Sequence, residues 1–165
     1  MLYYALKRLA GIFFNLLNIL LGGNLPPFGS VSVIVEKEHH FLVVEQRNGR
    51  VVFPGGFIRW SEHPEQAVIR EGKEETGLNL RPMRIIGHYS KRAKRIDRMS
   101  VITIVYQAEV ISGELRKSIE GQPCWINEED LLNKLPWHHR TTFQDYLRSR
   151  ELRSEASIHE CIIDS

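Results

Sequence analysis

The sequence predicts an α/β domain, and three observations carry that prediction. Runs rich in β-branched residues recur on both sides of one central helical segment, a second helical segment stands near the C-terminus, and turn-forming residues punctuate the runs. A chain of 165 residues amounts to about one domain and can bury a proper core. Hydrophobic residues at 42% and charged residues at 25% place it among ordinary globular proteins. The net charge of +2 is too small to argue for nucleic acid, and no nucleic-acid partner is expected. Two cysteines, Cys124 and Cys161, form neither a disulfide framework nor a metal-knuckle spacing, which fits a reducing compartment.

Taken in order, residues 1–23 read as an amphipathic helix. Lys7, Gly11, Asn15, Asn18 and Gly22 recur at helical spacing as one polar or small face. Leu2, Leu6, Leu9, Phe13, Leu16, Leu17 and Leu20 cover much of the remainder. The charge-free run 9–21 is too short to span a membrane, which needs about 20 apolar residues. An interfacial helix, a helix packed on its own domain or on a second copy, and an export signal are the competing readings. Residues 24–29 form a linker, so the chain divides into 1–25 (helix and linker), 26–150 (main domain) and 151–165 (tail).

Strands are expected at 30–36, 41–46 and 51–53, with Asn48-Gly49 as a type I′ hairpin turn and His39 and His40 as exposed turn residues. Pro64 to Thr76 reads as a helix, with Pro64 in its first turn and Gly77 as its stop. Further strands are expected at 81–90, 99–110 and 122–127, with a basic loop at 91–98 between the first two. A short helix capped by Asn127 follows. The closing helix spans 137–149, with Trp137, Phe143 and Leu147 as packing residues and His138 and His139 at its surface. Cys124 is expected to be buried near Trp125, and the polar tail to fray apart from Ile162 and Ile163.

The chemistry is concentrated between Gly55 and Leu78. Glu71, Glu74 and Glu75 stand at i, i+3 and i+4, so one helix face gathers three carboxylates, and their repulsion costs about 0.2–0.5 kcal/mol per pair. A bound cation would reverse the sign of that term, and oxygen-only ligands suit Mg²⁺ or Mn²⁺. Taken alone, the three could be a solvated acidic face. The wider spacing is more specific: Gly56, Glu62, Arg70, Glu71, Glu74, Glu75, Gly77 and Leu78 fall in register with G-x5-E-x7-R-E-U-x-E-E-x-G-U, where U is aliphatic. The stretch resembles the Nudix box, departing from it at Gly72, where the family prefers an aliphatic residue.

That resemblance implies the Nudix fold over residues 26–147, a mixed sheet sandwiched between helices, with the N-terminal helix outside it. It implies hydrolysis of a nucleoside diphosphate linked to another moiety, with a small nucleotide as substrate. It also implies metal held by Glu71, Glu74, Glu75 and the Gly56 carbonyl, with Arg70 orienting a box glutamate. The general base stays open between Glu71, Glu62 and Glu120, the last in a late loop like that of MutT-like enzymes. Arg47, Arg50 and Arg59 flank the expected cleft, and Lys91, Arg92, Lys94 and Arg95 could gather phosphate. Residues 93–95 carry neither the proline of many ADP-ribose hydrolases nor the tyrosine of dinucleoside polyphosphate hydrolases. A catalytically silent nucleotide sensor and a diphosphate isomerase are the alternatives. The expected location is cytoplasmic or at a membrane surface, with residues 1–23 contacting the membrane or a second copy.

Overall fold

The computed structural model describes the backbone of residues 2–163, with side chains described except at 2–5, 7, 138 and 154–163. In chain order the elements are α1 (Leu2–Leu20), β1 (Phe28–Lys37), β2 (His40–Glu45), β3 (Val51–Val52), β4 (Gly55–Phe57), α2 (Pro64–Thr76), β5 (Leu78–Lys91), β6 (Val101–Gly113), β7 (Gln122–Asn127), α3 (Glu128–Lys134) and α4 (Trp137–Ile163).

The sheet is assembled on β1. Its run of Val31, Val33, Ile34 and Val35 is buried on both faces, as a central strand requires. One edge of β1 pairs parallel with β6, from Phe28↔Val101 to Val35↔Ala108. The same strand pairs antiparallel with β4 at Ser30–Ser32 and, at its far end, with β2. The strand order is β3-β2-β1-β6-β5, with β4 on β1 and β7 on β2, so the sheet is mixed. One core packs α2, through Ala67 and Val68, on Val31, Val33, Leu42 and Tyr106. The other packs Leu131, Phe143 and Tyr146 of α3 and α4 on Ile34, Phe41 and Val43. The expected sheet between helices is therefore present, and so is the additional N-terminal helix.

Several local expectations change. The type I′ turn falls at Glu38-His39, both with positive φ, between the paired Lys37 and His40. At Asn48-Gly49 only Gly49 has positive φ; Gly49 N–H donates to Gln46 and Gln46 N–H to Arg50, a three-residue loop. β5 starts at Leu78 instead of residue 81, and Pro82 is accommodated at a register shift. At the start of the box, Gly55–Phe57 is strand β4. The closing helix does not end at Ser149 but continues to Ile163. Trp137, expected as a packing residue, is 80% exposed. Cys124 and Trp125 pack on opposite cores, because neighbouring residues of a strand point to opposite faces. The side chains of Leu2, Lys7, His138, Cys161, Ile162 and Ile163, for which the sequence carried expectations, lie outside the described residues.

Helix α1 meets the domain with its polar side. Gly11 is buried, and a Cβ there would sit 3.0 Å from the Asp97 carbonyl. Asn15 Nδ2 donates to the carbonyls of Ile96 (2.7 Å) and Arg98 (2.6 Å), and Arg8 pairs with Asp97 at 3.1 Å. Asn18 accepts from Leu25 N–H, and Phe14 packs on Phe28 with ring centroids 4.3 Å apart.

Candidate active site

Helix α2 carries the candidate site, and its ends explain its placement. Pro64 occupies the first turn, and His63 N–H donates to Gln66 Oε1 at 2.9 Å. Gly77, at φ +81°, closes the helix by donating to the Lys73 carbonyl. One face buries Ala67, Val68, Gly72 and Thr76. Gly72 has a packing reason, since a Cβ there would lie 2.5 Å from Leu80 Cδ1 and 2.7 Å from its Cγ. The missing aliphatic side chain therefore lets α2 sit closer to β5. The adjoining face, with Glu75 buried at its border, turns Arg70, Glu71 and Glu75 toward β4 and leaves Glu74 exposed.

Strand β4 meets this face with two glycines. A Cβ on Gly55 would collide with the Val31 carbonyl, and one on Gly56 would collide with the Glu71 carboxylate. The bare backbone therefore forms a cradle for Glu71. Gly55 N–H donates to Glu75 Oε2 at 3.0 Å. Glu75 is 5% exposed. Burial first, then its hydrogen bond with the Glu120 carboxyl and the charges of Glu120 and Glu71, push its carboxyl up to about 9.

Glu120 reaches Glu75 from a loop ahead of β7. Its N–H donates to Ser118 Oγ, Ser118 N–H donates to the Gly121 carbonyl, and a Cβ on buried Gly121 would strike the Glu45 carbonyl on β2. A turn anchored to β2 thus delivers the late glutamate to the box helix.

Arg70 ties the remaining carboxylates together. Its Nε and Nη2 donate to the two oxygens of Glu62, each at 2.7 Å. Nη1 donates to Glu71 at 2.6 Å and to Glu74 at 3.4 Å, and Nη2 also reaches the Phe57 carbonyl at 3.0 Å. Arg70 and Glu62 are both largely buried. The Arg70 guanidinium, with the Arg59 amide, holds the Glu62 carboxyl down at about 2. Arg59 also donates to Glu74 at 2.9 Å, across an exposed surface.

The structure thus brings together Gly56, Glu62, Arg70, Glu71, Glu74, Glu75, Glu120 and Arg59. Arg47 stands apart on an open cleft of about 210 Å³, which it lines with Lys117, Ser118 and Gly121 beside the turn that carries Glu120. Lys91, Arg92, Lys94 and Arg95 lie on the loop that α1 packs against, where Arg95 pairs with Asp97. Three contributors lay outside the sequence reading: the Gly55 amide, the Phe57 carbonyl and Lys117. Paired glycines at 55 and 56 are compatible with close backbone approach, but which group approaches depends on the β1–β4 register.

The residues fit a divalent cation by their donor chemistry. Among the described residues no three acidic, histidine or cysteine side chains stand as a ready-made metal cage. Buried Glu75 and exposed Glu120 nevertheless face each other near Glu71, with Gly55 N–H donating to Glu75 and Arg70 to Glu71. Such a gathering of carboxylate oxygen is what Mg²⁺ or Mn²⁺ would neutralise.

Comparison with known proteins agrees with this geometry. A family model for the NUDIX domain matches residues 26–146. An ADP-ribose pyrophosphatase from Methanocaldococcus jannaschii is 36% identical over 128 residues, 75% of each chain. A MutT-like protein from Streptomyces ambofaciens is 27% identical over 115 residues, 67% of this chain and 71% of the relative. The crystal structure of a MutT protein from Methanosarcina mazei superposes with a TM-score of 0.66 at 26% identity, covering 77% of this chain and 97% of that one. Box register, fold and relatives converge: the chain belongs to the NUDIX family and is a pyrophosphohydrolase.

Proposed function

We propose that the chain hydrolyses the pyrophosphate of a nucleoside diphosphate linked to a second moiety, in a reaction that depends on Mg²⁺ or Mn²⁺. The observation that carries this reading is the approach of Glu71 and Glu75 to the Gly55–Gly56 backbone, with Glu120 facing Glu75 and Arg70 bonded to Glu71. Glu71, Glu75 and the Gly56 carbonyl are assigned to hold the cation. A divalent ion supplies neutralisation of the pyrophosphate charge and acidifies water. Arg70 orients Glu71, and Glu62 anchors Arg70 with both oxygens, which makes Glu62 a positioning residue. Glu120, exposed at the rim, is assigned to accept the proton from the attacking water. Arg47, Lys117 and Arg59 supply positive charge to the anionic substrate.

ADP-ribose is the first substrate to test, because it is the named substrate of the relative at 36% identity. The missing proline after the box argues the other way, so the panel should include nucleotide sugars, dinucleotides and nucleoside triphosphates. Turnover of one class with Mg²⁺, abolished by EDTA and restored by added metal, is the expected result. No metal-dependent hydrolysis across the panel would sink the proposal. Glu120→Gln should lower kcat while removing the acidic limb of its pH profile; an unchanged profile would return Glu120 to the surface.

A further inference from the structure

Helix α1 is mounted with its sides reversed. Its polar residues Arg8, Asn15 and Asn18 and its buried Gly11 are used up on the 96–98 backbone, Asp97 and the linker. The opposite side leaves Leu6, Leu9, Phe13, Leu16, Ile19 and Leu20 between 54% and 81% exposed. These positions recur at steps of three and four, so they form one continuous stripe along the helix. Isolated exposed leucines need no explanation, but a stripe of this length does.

The charges around the stripe say what it meets. The loop that carries α1 holds Lys91, Arg92, Lys94, Arg95 and Arg98, with Asp97 as its one acid, and α1 itself contains no acidic residue. Asp97 is already engaged by Arg8 and Arg95. Lys91 and Arg92 line a cleft of about 320 Å³ directly beside Phe14 and Asn15. The hydrogen bonds from Asn15 hold this basic loop against the polar side of the helix, so cations stand behind the apolar stripe, one helix diameter away. Helix α1 offers a second copy no acidic residue with which these cations could pair. Among the described residues no helix is long and apolar enough to cross a membrane.

We infer that α1 lies in the interface of an anionic lipid membrane, with its apolar stripe among the acyl chains and the 91–98 loop on the headgroup phosphates. Apolar burial and attraction to anionic lipid are the two terms that hold such a helix. The catalytic domain is then carried at the membrane surface.

The full chain should be floated with vesicles of phosphatidylcholine alone and of phosphatidylcholine mixed with phosphatidylglycerol. Binding should favour the anionic vesicles by at least about tenfold and weaken as salt rises. Phe13→Gln with Leu16→Gln changes only exposed side chains, so the domain stays folded and turnover of soluble substrate stays level, while vesicle binding falls by about tenfold or more. Lys91→Gln with Arg92→Gln should reduce the preference for anionic vesicles by about fivefold per charge. Equal binding to neutral vesicles would overturn the proposal, as would indifference to the Phe13 and Leu16 changes. A concentration-dependent dimer that those two changes dissolve, with no vesicle binding, would assign the stripe to a second copy.

Discussion

Helices α1 and α2 are both amphipathic, and they turn opposite sides to the domain. Helix α2 buries Ala67 and Val68 in a core and directs its charges at β4. Helix α1 spends its polar residues on backbone carbonyls and turns its leucines away. The difference shows that amphipathicity gives an axis but not its sign. The partner decides the sign. The sheet offers α2 an apolar surface, whereas the 96–98 loop offers α1 carbonyls that need donors.

The largest effect expected from breaking this contrast is on catalysis. Glu71→Gln keeps the shape of α2 and should lower kcat by about two orders of magnitude or more, measured at saturating Mg²⁺. Melting of the metal-free variant should change little, because a carboxyl is lost together with its neighbours' repulsion. A variant with nearly full turnover would reduce the α2 face to a structural one.

Next comes pH. The Glu75 carboxyl titrates higher folded than unfolded, about 9 against 4.5, so the folded protein binds the extra proton. The associated stability is fully present below pH 4.5 and is lost as pH rises toward 9, with a slope of at most about 1.4 kcal/mol per pH unit in metal-free protein. Added Mg²⁺ should reverse the trend, since the ion competes with that proton. Denaturant titrations with EDTA or Mg²⁺ check both signs, and Glu75→Gln should flatten both curves.

Smaller still is the effect at the closest approach of α2. Gly72→Ala improves helix propensity by about 1 kcal/mol, yet the added Cβ meets Leu80, and overpacking costs about 1–3 kcal/mol. Net destabilisation is expected in chemical denaturation, and a stabilised variant would show that Leu80 moves aside freely. The smallest effect belongs to α1. Asn15→Leu is better for a helix in isolation but should loosen α1 from the loop, at a cost of about 1 kcal/mol. Faster amide exchange at residues 96–98 is the readout.

The ease of reading followed the range of the interactions. The box helix was legible because Pro64, Gly77 and the glutamate spacing act within a few turns of chain. The pairing of Glu120 with Glu75 was accessible only through resemblance, since the contact crosses between elements that no local pattern links. The two hairpins show the limit from the other side. Asn48-Gly49 has the better sequence for a type I′ turn, yet Glu38-His39 adopts it, because Lys37 and His40 are held in register by the strands. Local preference lost there to the sheet. Cys124 and Trp125 are neighbours in sequence and strangers in packing, a result fixed by strand alternation once the strand is known.

The parallel pairing of β1 with β6 has a kinetic consequence. Ser30 and Thr103 exchange a hydrogen bond across 73 residues of chain, and that closure secures the edge opposite β4. The Gly55–Gly56 cradle hangs on a strand that a nascent or refolding chain cannot complete until β6 has emerged and docked. Loops that long close late, after local helices have formed. Recovery of activity during refolding should therefore lag behind recovery of helical circular dichroism: the catalytic centre is finished after the helix that names it.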